Sequence, residues 1–399
     1  KSDSVAPAPS KPLFSPSDVL THAKVQEREF DDFSRQPLLP NKLSQLGPGI
    51  AVADVNGDGL DDLYLGGACG WPGALYLNEG GKKFGPDIDT PFDPDAIAED
   101  MGAVFFDCDG DGDQDLYVVS GGYEAKEGAS LLRDRLYLND GQGTFSKTRG
   151  HLPELRDSGG PVAAADFNRD GSIDLFVGGR MIPGHYPTSP VSRILQNDGS
   201  GRFSDVTGEV APQLTESGMA TGAVWSDADN DGWLDLLVSY EWGPVRIFRN
   251  RSGVLEEATI AAGLASHLGW WSGLSAGDVD NDGDIDYVAS NFGLNSKYHA
   301  TANKPALLYY GDFEGDGTKK LIEAEYEDGV LYPVRGKSCS TRAVPHLAKK
   351  FETFKSFALA ELKQIYRPEC FRDSLKFTAT TLESGIFIND GSARFEFHS

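Results

Sequence analysis

DVNGDGLDDLYLGG, Asp54 to Gly67, decides the fold of this chain, because it sets alternating oxygen-bearing side chains in a glycine turn directly before a short apolar strand. The pattern recurs as DCDGDGDQDLYVVSGG from Asp107, DFNRDGSIDLFVGG from Asp166, DADNDGWLDLLVSY from Asp227 and DVDNDGDIDYVASNFG from Asp278. The first aspartates stand 53, 59, 61 and 51 residues apart. Self-similarity at such a period marks a repeat architecture.

Small-residue strands precede the loops at 49–53, 102–106, 161–165, 222–226 and 273–277, and β-branched or aromatic strands follow them. A second signature then closes each unit: LYLNEGGKKF at Phe84, LYLNDGQGTF at Phe145, ILQNDGSGRF at Phe203 and IFRNRSG at Gly253. Asn-Asp-Gly tolerates the positive φ that hairpins require. Strand, aspartate loop, strand, strand, hairpin and strand make one four-stranded blade. The expected fold is therefore all-β: a β-propeller of about six to seven blades with a small helical insertion.

Each loop reads D-x-[DN]-x-D-G-x-x-D, which aims hard oxygens at one point, as calcium demands. The expected ligands are Asp54, Asn56, Asp58, Leu60 and Asp62 in the first loop, and Asp107, Asp109, Asp111, Asp113 and Asp115 in the second. The third loop offers Asp166, Asn168, Asp170, Ser172 and Asp174, and the fourth Asp227, Asp229, Asp231, Trp233 and Asp235. The fifth offers Asp278, Asp280, Asp282, Asp284 and Asp286. The seventh residue of each acts through its backbone carbonyl. About five Ca²⁺ ions are expected. An EF-hand would need a glutamate at the twelfth position, where this chain has Leu65, Val118, Val177, Val238 and Ala289, all apolar.

DFEGDGTKK from Asp312 starts only 34 residues after Asp278, and Lys320 stands where the last carboxylate belongs. This weak loop is expected in the outer hairpin of the fifth blade, between strands 306–311 and 321–326. An irregular last blade is expected from residues 329–334 and 377–397, completed by an N-terminal strand around Val25 to Phe33 or by another chain. The domain reading is a flexible tether at 1–16, blades over 17–337, a helical insertion at 338–375 and last-blade strands at 376–399. Leu347, Phe351, Phe354, Ala358 and Leu362, at helical steps, suggest two short amphipathic helices in that insertion.

The loops and their Gly-Gly-terminated strands resemble the FG-GAP/VCBS repeats of integrin-type propellers. The stretch FDDFSRQPLLPNKLSQLGPGIAVADVNGDG, Phe30 to Gly59, further resembles secreted bacterial relatives of the ASPIC/UnbV, cartilage-acidic-protein group. That resemblance implies fold and calcium, and leaves the biological role open.

A formal charge of −25, from 61 acidic and 36 basic residues, argues against nucleic acid and anionic membranes as partners. No apolar run is long enough for a transmembrane helix. A Pro- and Ser-rich start suits an extracellular or cell-surface protein, secreted or lipid-anchored to a bacterium, and a Cys339–Cys370 disulfide would suit the same compartment. The expected function is a non-enzymatic binding, adhesion or assembly module for protein or carbohydrate partners at the cell surface. The alternative is a carbohydrate-active enzyme of the polysaccharide-lyase type, or a lectin. Gly273 to Gly277 matches GxSxG, yet occupies the strand before the fifth loop rather than a strand-to-helix elbow. His267, His299 and Tyr298 are the residues a lyase site would have to unite, and Trp71, Tyr123, Tyr186, Trp242, Trp270 and Trp271 are candidate sugar- or partner-stacking aromatics.

Overall fold

The computed structural model describes residues 17–20, 23–81, 83–86 and 91–399. The expected tether at 1–16 lies outside the described residues. The described residues form six antiparallel sheets, five of four strands and one of five, and no described helix is long and apolar enough to cross a membrane.

Five sheets are blades. Blade one comprises Ile50–Ala53, Asp62–Leu65, Ala74–Asn78 and Phe84–Pro86; blade two, Asp100–Phe106, Asp115–Ser120, Arg135–Leu138 and Ser146–Lys147. Blade three comprises Ser158–Ala165, Asp174–Met181, Arg193–Asn197 and Phe203–Asp205. Blade four comprises Met219–Ser226, Asp235–Gly243, Arg246–Asn250 and Leu255–Glu257, with Gly269–Trp270 added beside its second strand. Blade five joins Gly273–Gly277 and Asp286–Ser290 to Gly385–Asn389 and Phe395–His398.

The sixth sheet is inserted between the second and third strands of blade five. Its strands, in spatial order, are Val330–Pro333, Lys320–Glu327, Ala306–Gly311 and Leu375–Ala379. This corrects two expectations. The Asp312 hairpin is not the outer hairpin of blade five, which is instead built from residues 385–398. No irregular last blade forms from 329–334 and 377–397, because those segments divide between the inserted sheet and blade five. Residues 25–33 add no strand; the N-terminal segment makes the short helix Asp32–Arg35 and packs on the inserted sheet. The helical region holds five short helices rather than two: Lys337–Ala343, Leu347–Lys350, Phe354–Ala358, Leu362–Ile365 and Pro368–Arg372. Cys339 and Cys370 are unbonded.

The inserted sheet, its helices and residues 30–46 form a cap. One hydrophobic cluster joins Leu39, Leu43, Leu308, Ile322, Leu347 and Ile365 to Tyr123, Met181, Tyr186, Met219, Trp242 and Trp270 on blades two to four. Those blade residues lie where first strands begin and second strands end, so the cap sits on the face opposite the aspartate loops. Gln36 stitches it down: its Nε2 donates to the Tyr186 carbonyl (2.5 Å), and its Oε1 accepts from the Tyr123 hydroxyl (2.8 Å).

The small-residue strands have a steric reason. A Cβ on Gly49 would lie 2.5 Å from the Gly102 carbonyl carbon, and one on Gly102 would lie 2.2 Å from the Gly160 oxygen. The inner strands therefore pack backbone against backbone, which only glycine allows. Between successive blades lie four apolar cores: Tyr64, Leu75 and Tyr137 between one and two; Tyr117, Leu175 and Phe203 between two and three; Phe176, Leu236 and Phe248 between three and four; and Leu237, Tyr287 and Phe387 between four and five.

No fifth core joins blade five to blade one among the described residues, and the arc is open. The second strands record this directly. Asp115–Ser120 and Asp174–Met181 are buried at every residue, so both faces of blades two and three are covered. In blade one Leu63 and Leu65 are only half-buried, beside Ile50 and Val52, each 58% exposed. In blade five Val288 is 45% exposed beside half-buried Ile386 and Ile388.

Candidate metal loops and inter-blade latches

All five loops stand in one register. The residue before the first aspartate pairs with the ninth-position aspartate: Ala53 with Asp62, Phe106 with Asp115, Ala165 with Asp174, Ser226 with Asp235 and Gly277 with Asp286. A β-ladder thus clamps both ends of each loop. The glycine at position six has φ between 86° and 97° in every loop, a left-handed turn that lets the chain double back.

The first aspartate organises the turn. Asp54 Oδ1 accepts from the Gly57 and Asp58 amides (2.8 and 3.2 Å), and Oδ2 from the Gly59 amide (2.7 Å). The ninth-position aspartates are buried staples. In blade two Asp115 accepts from the Cys108 amide (3.0 Å) and the Asn139 amide (2.9 Å), tying loop to hairpin. Asp62, Asp235 and Asp286 do the same with their own loops and hairpins. Burial raises the carboxyl of Asp174 to about 7 and that of Asp235 to about 6.

Side-chain oxygens converge in three loops: Asp107, Asp109 and Asp115; Asp227, Asp229 and Asp231; and Asp278, Asp280 and Asp282 have ligand atoms within 4.8 Å of one another. In the first and third loops Asn56 and Asn168 stand at the third position. Asn168 donates to Asp170 (2.8 Å) and accepts from its amide (3.0 Å). Buried oxygens of Asp109, Asp113, Asp174 and Asp229 have no hydrogen-bond donor. All-oxygen sets of like charge, with some oxygens buried and undonated, have the chemistry that suits a hard divalent cation such as calcium.

Loop four departs from this. Arg249, on the neighbouring hairpin, contacts Asp229, with its Nε 3.8 Å from Asp235; Arg251 Nη1 lies 2.8 Å from Asp231. Two guanidinium groups therefore share the carboxylates expected for an ion. In blade three Gln196 takes the place of Arg249 and donates to Asp170 (3.2 Å). Leu77 and Leu138 hold that hairpin position in blades one and two.

The Asp312 loop keeps the turn, with Lys320 in place of the ninth-position carboxylate. Asp312 accepts from the Gly315 and Gly317 amides (2.6 and 2.8 Å), and Gly311 pairs with Lys320 in the register used by the blades. Glu314 is engaged by His346 (2.9 Å).

Sequence reasoning read the hairpin asparagines as turn formers only, and missed their second task. Asn139 Nδ2 donates to the Val55 carbonyl of the preceding blade's loop (2.8 Å), Asn197 to Cys108 (2.7 Å), Asn250 to Phe167 (2.8 Å) and Asn389 to Ala228 (2.9 Å). Each latches its blade to the loop before it, and each also holds its own loop. The side-chain amide of Asn78 in blade one donates to its own loop, at Asp61 (3.0 Å), and to no preceding blade among the described residues. The recurrence of Asn at every hairpin was the available signal.

The residues considered for a lyase site each have their own partners. His267 packs on Phe387 and Phe397 between blades four and five, where burial lowers its pKa. Tyr298 donates to Glu323 in the cap (2.6 Å), and the backbone of His299 donates to Glu325 (3.0 Å). Of the six aromatics considered for stacking, all but half-buried Trp71 are buried.

Comparison with known families places the FG-GAP-like repeat at residues 54–118, 107–177 and 227–289. Cartilage acidic protein 1 of Mus musculus is 25% identical over 270 residues, 61% of this chain and 38% of the relative. That of Xenopus tropicalis is 24% identical over 275 residues, 62% of this chain and 40% of the relative. The chain thus spans about two-fifths of the length of these relatives. Among solved structures, BBS1N in complex with ARL6DN covers 73% of this chain, and 80% of that chain is matched, at 12% identity and a TM-score of 0.35. YCF48 bound to D1 peptide covers 78% of this chain, with 83% of its own matched, at 11% identity and a TM-score of 0.35. In three stretches that hold its five loops this chain carries FG-GAP-like repeats, set in the blades of a β-propeller architecture, and it is similar to cartilage acidic protein 1.

Proposed function

We propose that this chain is a calcium-stiffened assembly module working outside the cytoplasm, and that it binds through the two uncovered faces at the ends of its arc. The partner is a blade of the same repeat type, and its source is a second copy of the chain.

The unmatched latch carries this reading. Every internal interface sets a hairpin asparagine against the loop carbonyl of the blade before it. Among the described residues, the side-chain amide of Asn78 meets no loop carbonyl of a preceding blade, and the equivalent carbonyl of blade five, that of Val279, receives no hairpin asparagine. Ile50 and Val52 at one end are exposed where the same positions of blades two to four are half-buried, and Val279 and Val288 at the other are exposed where the same positions are buried. Such faces invite association. Blade one of one copy offers blade five of another the contact that four internal interfaces already use. This is head-to-tail, heterologous association. Calcium would be held by the loop carboxylates, which in turn fix the loop carbonyls that receive the latches. The free calcium outside cells suits such exposed loops.

Sedimentation velocity over a concentration series tests this with Val52→Asp and Val288→Asp, both at exposed positions. Wild type should self-associate and each variant alone should not. An equimolar mixture should form a dimer and stop there, because each variant keeps one intact end. A wild type that stays monomeric, or a mixture without dimers, would overturn the reading.

A further inference from the structure

Beneath the cap, where the inner strands of blades two to four begin, lies a cavity of about 390 Å³. Its size is that of a small-molecule site. Leu46, Met101, Pro161 and Phe292 form its apolar wall, and Arg180, Thr221, Glu241 and Trp270 bring polar groups to it. None of these belongs to the aspartate loops or to the free blade faces.

The polar groups are held rigidly from behind. Arg180 Nη2 lies 2.5 Å from Glu241 Oε2, and Glu241 Oε1 accepts from the Tyr186 hydroxyl (2.6 Å). Tyr186 in turn accepts from Trp242 Nε1 (2.7 Å). Trp270 is fixed edge-on among Trp242, Phe292 and Tyr298, with ring centroids 4.5, 4.6 and 4.8 Å away. Both oxygens of Glu241 are therefore engaged, yet two donors are not. Arg180 is 9% exposed and Trp270 5%, and Arg180 Nη1 and Trp270 Nε1 have no hydrogen-bond partner. A buried donor left unpaired costs about 1–3 kcal/mol, and two in one cavity mark where an acceptor from outside belongs.

The charge balance selects the acceptor. Arg180 and Glu241 neutralise each other, so the cavity has no net charge, and a chain of formal charge −25 repels anions. Hydroxyl oxygens on a neutral ring satisfy both donors and return their own protons to Thr221 and to the second lone pairs of Glu241. Phe292, 43% exposed, offers its ring to the C–H face of such a ligand. We propose that this cavity binds a neutral sugar ring, with Arg180 and Trp270 as its hydroxyl-recognising donors. The site is separate from the assembly faces and does not depend on them.

Titration calorimetry of the whole chain with D-glucose, D-galactose and D-mannose, and with D-glucuronate as the charged comparison, tests the assignment. Trp270→Phe removes one N–H and keeps the aromatic packing; Arg180→Lys keeps the charge facing Glu241 and loses the second guanidinium edge. At least one neutral sugar should bind, more tightly than glucuronate, and each variant should weaken it about tenfold, the loss of one hydrogen bond. Near-ultraviolet circular dichroism shows that each variant is folded, and Val52→Asp should bind sugar as wild type does. No neutral sugar binding up to about 10 mM, preference for glucuronate, or wild-type affinity in both folded variants would overturn it.

Discussion

Replacing Asn197 by alanine isolates the latch between blades. Asn197 is 2% exposed; its amide donates to Cys108 of blade two (2.7 Å) and to Ile173 of its own loop (3.1 Å), and its oxygen accepts from Gly199 (3.1 Å). Three hydrogen bonds at about 1 kcal/mol each, plus a carbonyl left unpaired in the blade interface, give a loss of about 3–5 kcal/mol. Asn78 is the internal control. It bonds its own loop at Asp61 and accepts from Gly81 (2.7 Å), with no blade before it, so Asn78→Ala should cost about 1–2 kcal/mol. Urea unfolding in excess calcium, followed by tryptophan fluorescence, measures both. The difference, about 2 kcal/mol, is the contribution of one latch. Equal losses in the two variants would refute the argument that these asparagines hold blades together.

Asp282→Ala removes a carboxylate from the fifth loop's cluster and should reduce bound calcium by about one ion, whereas Lys320→Ala, in the cap loop, should leave the count unchanged by equilibrium dialysis. Arg249→Leu, which gives loop four the residue found at that hairpin position in blades one and two, should raise its calcium affinity about fivefold, since about 1 kcal/mol of competing ion pair is lost; an unchanged isotherm would show that the guanidinium does not compete. Glu99, buried under the N-terminal segment near Glu27 and Glu124, has its carboxyl raised to about 8, by burial first and then by those charges. The folded protein therefore holds this proton more tightly than the unfolded chain, and its contribution to stability falls as pH rises from the ordinary carboxyl value toward 8. Glu99→Gln should flatten that fall and be the more stable protein at alkaline pH; urea midpoints for both proteins at acid and alkaline pH would show it, and a variant no more stable than wild type under alkaline conditions would contradict it.

The repeat itself is legible in the order of residues along the chain. Spacing locates the loops, the strands flanking them and the hairpins, because a metal loop is a local object whose ligands lie within nine residues of one another. The five loops in one register, from Ala53 opposite Asp62 to Gly277 opposite Asp286, need nothing beyond that local pattern. The fate of the Asp312 loop does not follow from the same rule. A hairpin with blade-like spacing can join any sheet whose edge is free, and here strand Ala306–Gly311 pairs with Leu375–Ala379 to build the cap, while residues 385–398 return to complete blade five.

Sequence by itself determined the blade and its oxygen-lined loop, since both depend on side chains and turns that are close along the chain. Tertiary structure alone decided which blades are neighbours, that the arc is open between blade five and blade one, and that Arg180 and Trp270 face one cavity. These are contacts between residues far apart in sequence, fixed by which apolar faces find a partner. Arg249 shows the boundary well: its place beside Asn250 in the hairpin is read from the sequence, but its contact with Asp229 exists only because the hairpin folds back over the loop.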